Sequence, residues 1–381
     1  MKRRVFLDLC LLLVLSLLLG ACSSFETATH APILPASARG GAPTDASVPA
    51  PTAAVPTAES TNPLEEQAAA ALLAFEERFT LTGATTEEGL DAFHAVINDH
   101  PEFFWLTGGC TYYDMSNDSG RSVEIVPNLR VPIDQAKSMQ QSLESAVSSI
   151  LSGLKGGMND FEKALYLHDW LVDNTEYDYA TFERVKQDAL FHSSAQTAYG
   201  CIVEHKAVCA GYSKAYQLLL QRVGIPCRYI TGDTSEGLHA WNLITLDGEP
   251  YYVDVTWDDP RALDDDSLLV THGFFCITTA ELLETHTPDA DQNVPTCTAV
   301  KYDYYRYFDL YMETYDRAEY VRRLKNAQGM LQVKFGSPAA AAQAVQDLSD
   351  GTIYEFDSSI RSAQYWYKDG GRLVTYEFTR G

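Results

Sequence analysis

The clearest hydrophobic pattern of this 381-residue chain lies near its middle. After position 209, apolar residues recur at three- and four-residue intervals, which predicts an amphipathic helix that ends at Gly224. Residues 239–246 and 251–257 each alternate between apolar and polar side chains, which predicts two strands. The Asp-Gly pair at 247–248 is a strong hairpin signal, so the helix is expected to precede an antiparallel hairpin.

Weaker patterns flank this centre and place the chain in the α+β class. Upstream, we predict two helices, two strands and a third helix; the second helix opens at a Thr85–Glu88 capping box. The first two helices are expected at 65–79 and 85–101, the two strands at 103–115 and 121–131, and the third helix at 133–154. Downstream, we predict a tyrosine-rich helical stretch, a strand, a helix capped by Ser337, and strands that include the Asp369–Gly371 hairpin. The helical stretch is expected at 302–320, the strand at 330–335, the helix at 338–348 and the first of the further strands at 353–356.

Cys209 falls in the opening turn of the predicted central helix. Unpaired N–H groups and the positive end of the helix dipole favour a thiolate there, and the thiolate is the nucleophilic form of cysteine. A small, buried, unreactive cysteine is the alternative for any such residue taken alone. The surroundings of Cys209 therefore decide its role.

His239 and Asp254 supply such surroundings. With a two-residue loop, Leu246 faces Glu249, Trp241 faces Asp254, and His239 lies on the same face as Asp254, within hydrogen-bonding reach. A three-residue loop would put them on opposite faces. An aspartate on one ring nitrogen orients the imidazole while the other nitrogen exchanges a proton with a thiol. Cys209, His239 and Asp254 are the predicted catalytic residues.

The three motifs resemble the transglutaminase-like superfamily, which has a papain-related α+β fold. The resemblance rests on YGCIVEHKAVCAGYSKAYQLLLQRVGIPCRYITG, HAWNLITLDGEPYYVDVTWDDP and the upstream KALYLHDWLVDNTEYD. It implies a Cys-His-Asp triad whose members fall on Cys209, His239 and Asp254. Catalysis would run through a thioacyl enzyme on protein or peptide amides, with no cofactor. The backbone N–H of Cys209 would be one oxyanion donor; a second donor is not evident.

The resemblance leaves two questions open. Water as acceptor would give peptidase, amidase or deamidase activity, whereas an amine would give cross-linking, and a single sequence does not separate them. We expect hydrolysis. A catalytically inactive scaffold or binding module of the same fold is the alternative, although such a protein has no need of all three residues.

The first 63 residues predict export and anchoring. Residues 1–22 combine a basic start, a short apolar run and a Leu-Gly-Ala-Cys ending, which resembles a bacterial lipoprotein signal with Cys22 as the lipidated residue. Residues 23–63 are rich in Ala, Pro, Ser and Thr and predict a disordered tether. The protein would then lie on the outer face of a bacterial membrane, near cell-wall or surface substrates. A plain secretory signal is the alternative reading.

Composition limits the remaining possibilities. A net charge of −24 argues against nucleic-acid binding, and no metal-binding spacing is evident, so we expect no required metal. We divide the folded part into an N-terminal α/β domain (64–156), a catalytic domain (157–286) and a C-terminal α/β region (287–381). His168 and His272 are expected to pack or to support the site. Cys201 and Cys227 are expected to be structural.

Overall fold

The structure is a computed structural model that describes residues 4–6, 62–118, 120–259, 270–349, 355, 357–367 and 371–381. Cys22 and nearly all of the expected tether lie outside these residues, and of the strand predicted at 353–356 only Glu355 is described, in a helical turn. Among the described residues, no helix has the length and apolar character needed to cross a bilayer.

The N-terminal part contains three helices and an antiparallel sheet of order β1-β3-β4-β2, and the first two helices pack against this sheet. The strands are β1 (Arg4–Phe6), β2 (Phe79–Thr82), β3 (Leu106–Asp114) and β4 (Ser122–Leu129). The helices are α1 (Pro63–Leu73), α2 (Thr86–Asp99) and α3 (Ile133–Leu151). The predicted capping box is confirmed, because the Thr85 side chain accepts from the Glu88 N–H and the Glu88 carboxylate accepts from the Thr85 N–H.

One prediction for this part is wrong. The helix expected to reach residue 79 ends at Leu73, and strand β2 follows it. Phe75 takes a positive φ of 59° and turns the chain away from the helix axis. Phe79 and Leu81 then alternate into the core against β4, so tertiary packing overrides the helical pattern.

The central part surrounds a five-stranded antiparallel sheet of order β10-β9-β8-β7-β11, with a short parallel pair β5-β6 beside it. The strands are β5 (Glu176–Tyr177), β6 (Lys206–Ala207), β7 (Cys227–Thr234), β8 (Gly237–Leu246), β9 (Glu249–Val253), β10 (Phe275–Ile277) and β11 (His286–Pro288). The helices are α4 (Asp160–Asn174), α5 (Tyr179–Gln187), α6 (Ala198–Ile202), α7 (Cys209–Arg222), α8 (Val255–Asp258) and α9 (Thr279–Leu282).

The predicted hairpin register is confirmed, but its second strand is shorter than expected. Leu246 pairs with Glu249 across the two-residue turn. Strand β9 ends at Val253, and residues 255–258 form helix α8 instead of continuing the strand. The side chain of Asp254 accepts hydrogen bonds from the N–H groups of Thr256 and Trp257, which caps α8 and ends β9.

The C-terminal part forms a sheet of order β12-β13-β15-β14. Its strands are β12 (Tyr311–Met312), β13 (Met330–Phe335), β14 (Ile360–Tyr367) and β15 (Leu373–Arg380), and its helices are α10 (Tyr304–Tyr307), α11 (Arg317–Asn326) and α12 (Pro338–Ser349). The predicted strand at 330–335 and the helix from Pro338 are confirmed, as is the pairing of β14 with β15. The tyrosine-rich stretch is not one helix; it divides into α10, β12 and the start of α11.

Two large hydrophobic cores organise these parts. One core contains buried side chains of both the N-terminal and the central part, from Ala68 to Tyr302. A second core lies within the C-terminal part, from Met312 to Phe378. The buried Lys334 of β13 forms ion pairs with Asp303 at 2.7 Å and Glu281 at 3.2 Å, and so joins the C-terminal sheet to the central part.

Candidate active site

Cys209 is the first residue of helix α7, as the sequence predicted. The residue before it, Val208, is the N-cap and has no side chain that could accept from the first-turn N–H groups. These groups and the helix dipole are therefore directed at whatever occupies the space beside the thiol. Cys209 is partly exposed, whereas the other five described cysteines, Cys110, Cys201, Cys227, Cys276 and Cys297, are buried free thiols.

A close backbone contact fixes the start of α7. The N–H of Val208 donates to the carbonyl of Ala195, in a short 3₁₀ turn, at 2.9 Å. A Cβ on Gly211 would lie 2.3 Å from that same carbonyl oxygen, so only glycine permits this approach. The turn and the nucleophile helix are consequently held in one arrangement.

The structure brings the three predicted residues together. Nε2 of His239 lies 2.6 Å from Oδ2 of Asp254, and the thiol of Cys209 lies close enough to the same imidazole to raise its pKa. Because Nε2 faces the carboxylate, Nδ1 is the nitrogen left to exchange a proton with sulfur. The diagonal strand pairing expected for His239 and Asp254 is not how they meet, since Asp254 caps α8 beyond the end of β9.

The Asp254 carboxylate is buried, and both of its oxygens accept hydrogen bonds. Its Oδ1 accepts from the N–H groups of Thr256 and Trp257 at 3.0 and 3.2 Å, and its Oδ2 accepts from His239 and from His286 at 2.6 and 3.1 Å. Four donors thus stabilise the ionised carboxylate in a site without water contact. The carboxylate cannot rotate without losing several of these bonds.

Electrostatics favour a protonated imidazole at neutral pH. Burial lowers the pKa of His239, but the charges of Asp254 and Cys209, and its hydrogen bonds to both, raise that pKa to about 10. Burial raises the pKa of Asp254, but the two histidines outweigh it and hold that pKa well below its usual range. The site is therefore arranged to hold an imidazolium between a carboxylate and a sulfur.

His286 is a site residue that sequence reasoning missed. It begins β11 on the edge of the central sheet and donates to Asp254 through Nε2, while Nδ1 lies 2.7 Å from the hydroxyl of Thr285. Its ring packs against Trp257 with centroids 4.5 Å apart. It lies 32 residues after Asp254 in a stretch without clear periodicity, so no local signal in the sequence pointed to it.

A narrow cleft opens beside the imidazole. Its volume is about 20 Å³, and its walls include His239, Trp257 and the ring of Tyr177. Tyr177 is placed by β5, where it pairs in register with Ala207, two residues before Cys209. Burial and the charge of Cys209 both raise the pKa of Tyr177, so its hydroxyl stays a protonated donor near the sulfur.

A larger cleft lies elsewhere, between the central and C-terminal parts. Its volume is about 550 Å³, and it is lined in part by His272, Tyr304 and Gln332, with none of the three predicted catalytic residues. Of these two clefts, only the smaller one is lined by a predicted catalytic residue, His239.

A second histidine-carboxylate network lies behind the site and accounts for His168 and His272. Asp169 faces His168 Nδ1 at 3.0 Å and His272 Nε2 at 2.8 Å, and Asp258 faces His168 Nε2 at 3.2 Å. His168, Asp169 and His272 have the spacing of metal ligands. Burial lowers the pKa of His168, but the two carboxylates raise it to about 9. We interpret this group as a structural network, because each of its carboxylates faces an imidazole nitrogen.

Fold and site together define an α+β protein in which an imidazole is hydrogen bonded to a buried carboxylate and lies near a partly exposed thiol. Residues 148–255 match the family model of the transglutaminase-like superfamily, a span that contains Cys209, His239 and Asp254. The match agrees with the resemblance that the sequence motifs indicated, and it covers the part of the chain that carries the three predicted catalytic residues.

Relatives that align over a longer stretch of the chain are distant in sequence. The chain is similar to the Kyphoscoliosis peptidase of Mus musculus, with 23% identity over 193 residues, and to that of Homo sapiens, with 24% identity over 166 residues. These alignments cover 46% and 39% of this chain but only 28% and 24% of the relatives. A crystal structure of a TGase aligns with 47% of this chain and 50% of its own, at 12% identity and a TM-score of 0.28.

The contact between thiol and imidazole predicts selective alkylation of Cys209. We expect iodoacetamide at pH 6 to modify Cys209 in the folded protein while the five buried cysteines stay unreacted. His239→Gln keeps a donor toward Asp254 but removes the imidazolium, so the rate at Cys209 should fall roughly tenfold or more. Peptide mapping by mass spectrometry measures the rate at each cysteine. Equal rates in both proteins would favour the inactive scaffold.

Proposed function

We propose that the protein is a thiol-dependent enzyme that attacks amide bonds of peptides or proteins, with Cys209 as nucleophile, His239 as general acid and base, and Asp254 as the residue that orients His239. The observation that carries this proposal is the short hydrogen bond from the His239 imidazole to a carboxylate held by four donors, with the partly exposed Cys209 thiol at the start of helix α7 close to the same ring.

The reaction would take place in two halves. The Cys209 thiolate adds to the amide carbonyl carbon, and the carbonyl oxygen becomes an oxyanion. When the tetrahedral intermediate collapses, the C–N bond breaks and the imidazolium of His239 gives its proton to the departing amine, which leaves a thioester. Water or an amine then attacks the thioester; the neutral imidazole takes a proton from the attacking group, and the thiolate is released.

We propose two donors for the oxyanion. The first is the N–H of Cys209, in a helix turn that lacks a side-chain cap. For the second we propose the hydroxyl of Tyr177, because its strand pairs with Ala207, two residues before Cys209, and because Tyr177 lines the same cleft as His239. The sequence alone offered no candidate for this second donor.

We propose water as the usual acceptor, which makes the enzyme a peptidase or amidase. The thiol is partly exposed, so the thioester would meet solvent unless a bound substrate shields it. A similar activity is named for the Kyphoscoliosis peptidases, but those are far longer chains.

The acceptor is tested by one comparison. Wild-type protein should hydrolyse peptide amides, and Cys209→Ala should lose this activity by at least about 10³-fold, because the nucleophile is gone. Mass spectrometry of the products with and without a millimolar primary amine separates the two routes. Amine-linked products that outnumber the hydrolysed ones would show that the enzyme cross-links instead.

The oxyanion assignment predicts a defect in turnover. Tyr177→Phe removes one hydroxyl and keeps the ring, so kcat should fall about 10²-fold while KM stays within about threefold. Tyr179→Phe is the matched control, because Tyr179 is exposed and packs edge-on against Tyr177 with centroids 5.0 Å apart. Equal kcat values for the two variants would exclude Tyr177 as an oxyanion donor.

We also propose that the enzyme acts outside the cell, held on a membrane by lipid on Cys22. The support is the lipobox-like ending of residues 1–22 and the polar tether that follows. In a bacterial host, the full chain should fractionate with membranes, and Cys22→Ser should not. An equal membrane share for both proteins would argue against the lipid anchor.

A further inference from the structure

Strand β13 of the C-terminal sheet has one edge that is covered only in part. On one side, β13 pairs with β15 from Met330 to Lys334. On the other side, β12 pairs only with Lys334 and Phe335. In the described part of the chain, no strand pairs with this second side at residues 330–332, which we call the uncovered edge. Such an edge presents main-chain donors and acceptors to a further strand.

The pairing of β13 with β15 shows which main-chain groups lie on the uncovered edge. The carbonyl of Gly329 accepts a hydrogen bond from the N–H of Phe378 at 2.7 Å. The N–H of Phe335 donates to the carbonyl of Arg372 at 2.8 Å. Because hydrogen-bonded residues alternate along an antiparallel pair, the odd-numbered residues of β13 direct their main-chain groups at β15.

Met330, Gln332 and Lys334 therefore direct their N–H and carbonyl groups to the other side. Lys334 confirms this alternation, because its N–H donates to the carbonyl of Leu310, just before β12, at 3.0 Å. Within the described residues, Met330 and Gln332 have no main-chain partner of this kind. The uncovered edge thus carries two N–H donors and two carbonyl acceptors in the order that a neighbouring strand would bond.

The uncovered edge lies in the wall of the larger cleft. Met330, Leu331 and Gln332 line this cleft, whose volume is about 550 Å³. Asp309 and Leu310 line it as well, and the positive φ of Asp309, 54°, turns the chain just before β12 begins. The volume is in the range of ligand-binding pockets in proteins. There is consequently space beside the uncovered edge for a ligand of several residues.

Charge does not dominate the lining of the cleft. Arg322 and Arg323 both pair with Glu319, and Arg323 also pairs with Asp309. Among the described residues, no other Asp, Glu, Lys or Arg side chain lines the cleft, and its remaining walls include apolar side chains and the amide of Asn326. A ligand would therefore be held by hydrogen bonds and apolar contact rather than by ion pairing.

His272 connects the wall of the cleft to the active site. Its Nε2 lies 2.8 Å from Asp169, and its buried Nδ1 has no hydrogen-bond partner among the described residues. Asp169 also faces His168, whose Nε2 lies 3.2 Å from Asp258. Asp258 belongs to the turn that begins with the cap residue Asp254. The cleft and the catalytic carboxylate are thus parts of one hydrogen-bonded framework.

We propose that the larger cleft binds an extended segment of the polypeptide substrate, which adds as a strand to β13 beside Met330 and Gln332. A peptide main chain repeats N–H and carbonyl groups at the spacing of this edge, which makes it the complementary ligand. The cleft beside His239 holds only about 20 Å³, so contacts elsewhere have to supply binding energy for a long chain. The proposal rests on the amide chemistry proposed above and names the substrate as an extended chain.

Binding is tested with the full-length Cys209→Ala protein, which cannot turn over the probes. The probes are fluorescein-labelled peptides of about ten residues, the upper length of a common strand, with Val, Leu or Tyr at every second position and Ser or Lys between. Two further series carry N-methyl groups, one on the apolar and one on the polar positions. Fluorescence anisotropy should show saturable binding. One methylated series should bind about tenfold more weakly and the other about as well as the parent, because only one peptide edge bonds to β13.

Variants of the cleft connect binding to the uncovered edge. Gln332→Pro removes the N–H that faces the cleft and no bond to β15, so affinity should fall about tenfold. Gln332→Ala keeps this N–H and is the matched control. Ala327→Trp fills the cleft and should prevent binding, whereas Lys325→Trp changes an exposed residue outside the lining and should not. Thermal unfolding identifies a variant that fails to fold; if Gln332→Pro does, the tryptophan pair and the methylated peptides decide.

The active wild-type protein tests the connection to turnover. A probe joined through Gly-Ser linkers of several lengths to a cleavable peptide should be hydrolysed with a KM about tenfold lower than that of the cleavable peptide alone, and with a similar kcat. Ala327→Trp should lose this advantage and still cleave the short peptide at the wild-type rate.

The outcomes separate this proposal from the proposed chemistry. If no probe binds at up to about 1 mM, if both methylated series bind alike, or if the two tryptophan variants behave alike, the strand site is wrong and the chemistry stands. Binding without a KM advantage for any linked substrate excludes the substrate role. If probes bind but wild type hydrolyses no peptide amide, the proposed chemistry fails. Self-association that Ala327→Trp abolishes would assign the uncovered edge to a second copy of the chain and overturn the proposal.

Discussion

Three aspartates buried in one short turn impose the geometry of the site. Asp254, Asp258 and Asp259 are each almost fully inaccessible to solvent, and a buried carboxylate is tolerated only when donors surround it. Each recruits a different element: Asp254 holds histidines of β8 and β11, Asp258 holds a histidine of α4, and Asp259 accepts from the hydroxyl of Tyr212 on α7 at 2.7 Å. The turn can form only where all these elements meet.

This requirement also fixes the distance between nucleophile and base. Tyr212 lies three residues after Cys209, so its bond to Asp259 ties the first turn of α7 to the same segment that holds His239. The thiol and the imidazole are therefore both positioned by one rigid turn rather than by two independent loops. Such support by packed elements is what keeps reacting groups within the small tolerance that catalysis needs.

The sequence predicts the parts of this arrangement that depend on local patterns. Helix α7 follows from its periodicity, and the β8-β9 register follows from Asp247 and Gly248, whose φ angles of 52° and 81° suit a tight two-residue turn. The end of β9 was not predictable from alternation, because the capping bonds of Asp254 compete with the ladder. His286 reaches the site through β11, a three-residue edge strand, and such long-range pairing leaves no periodic signal.

The two sides of the imidazole have different surroundings, and this difference bears on the acceptor. Toward Asp254, the ring of His239 is enclosed by Trp241, Trp257 and His286, with centroids 5.5 to 6.0 Å away, so water is kept from the carboxylate contact. Cys209, in contrast, is partly exposed. The protein thus shields the contact between His239 and Asp254 from water, whereas Cys209, which would carry the acyl group, is left for the substrate to cover. The extent of that cover, rather than the triad, would then decide whether water or an amine reaches the thioester.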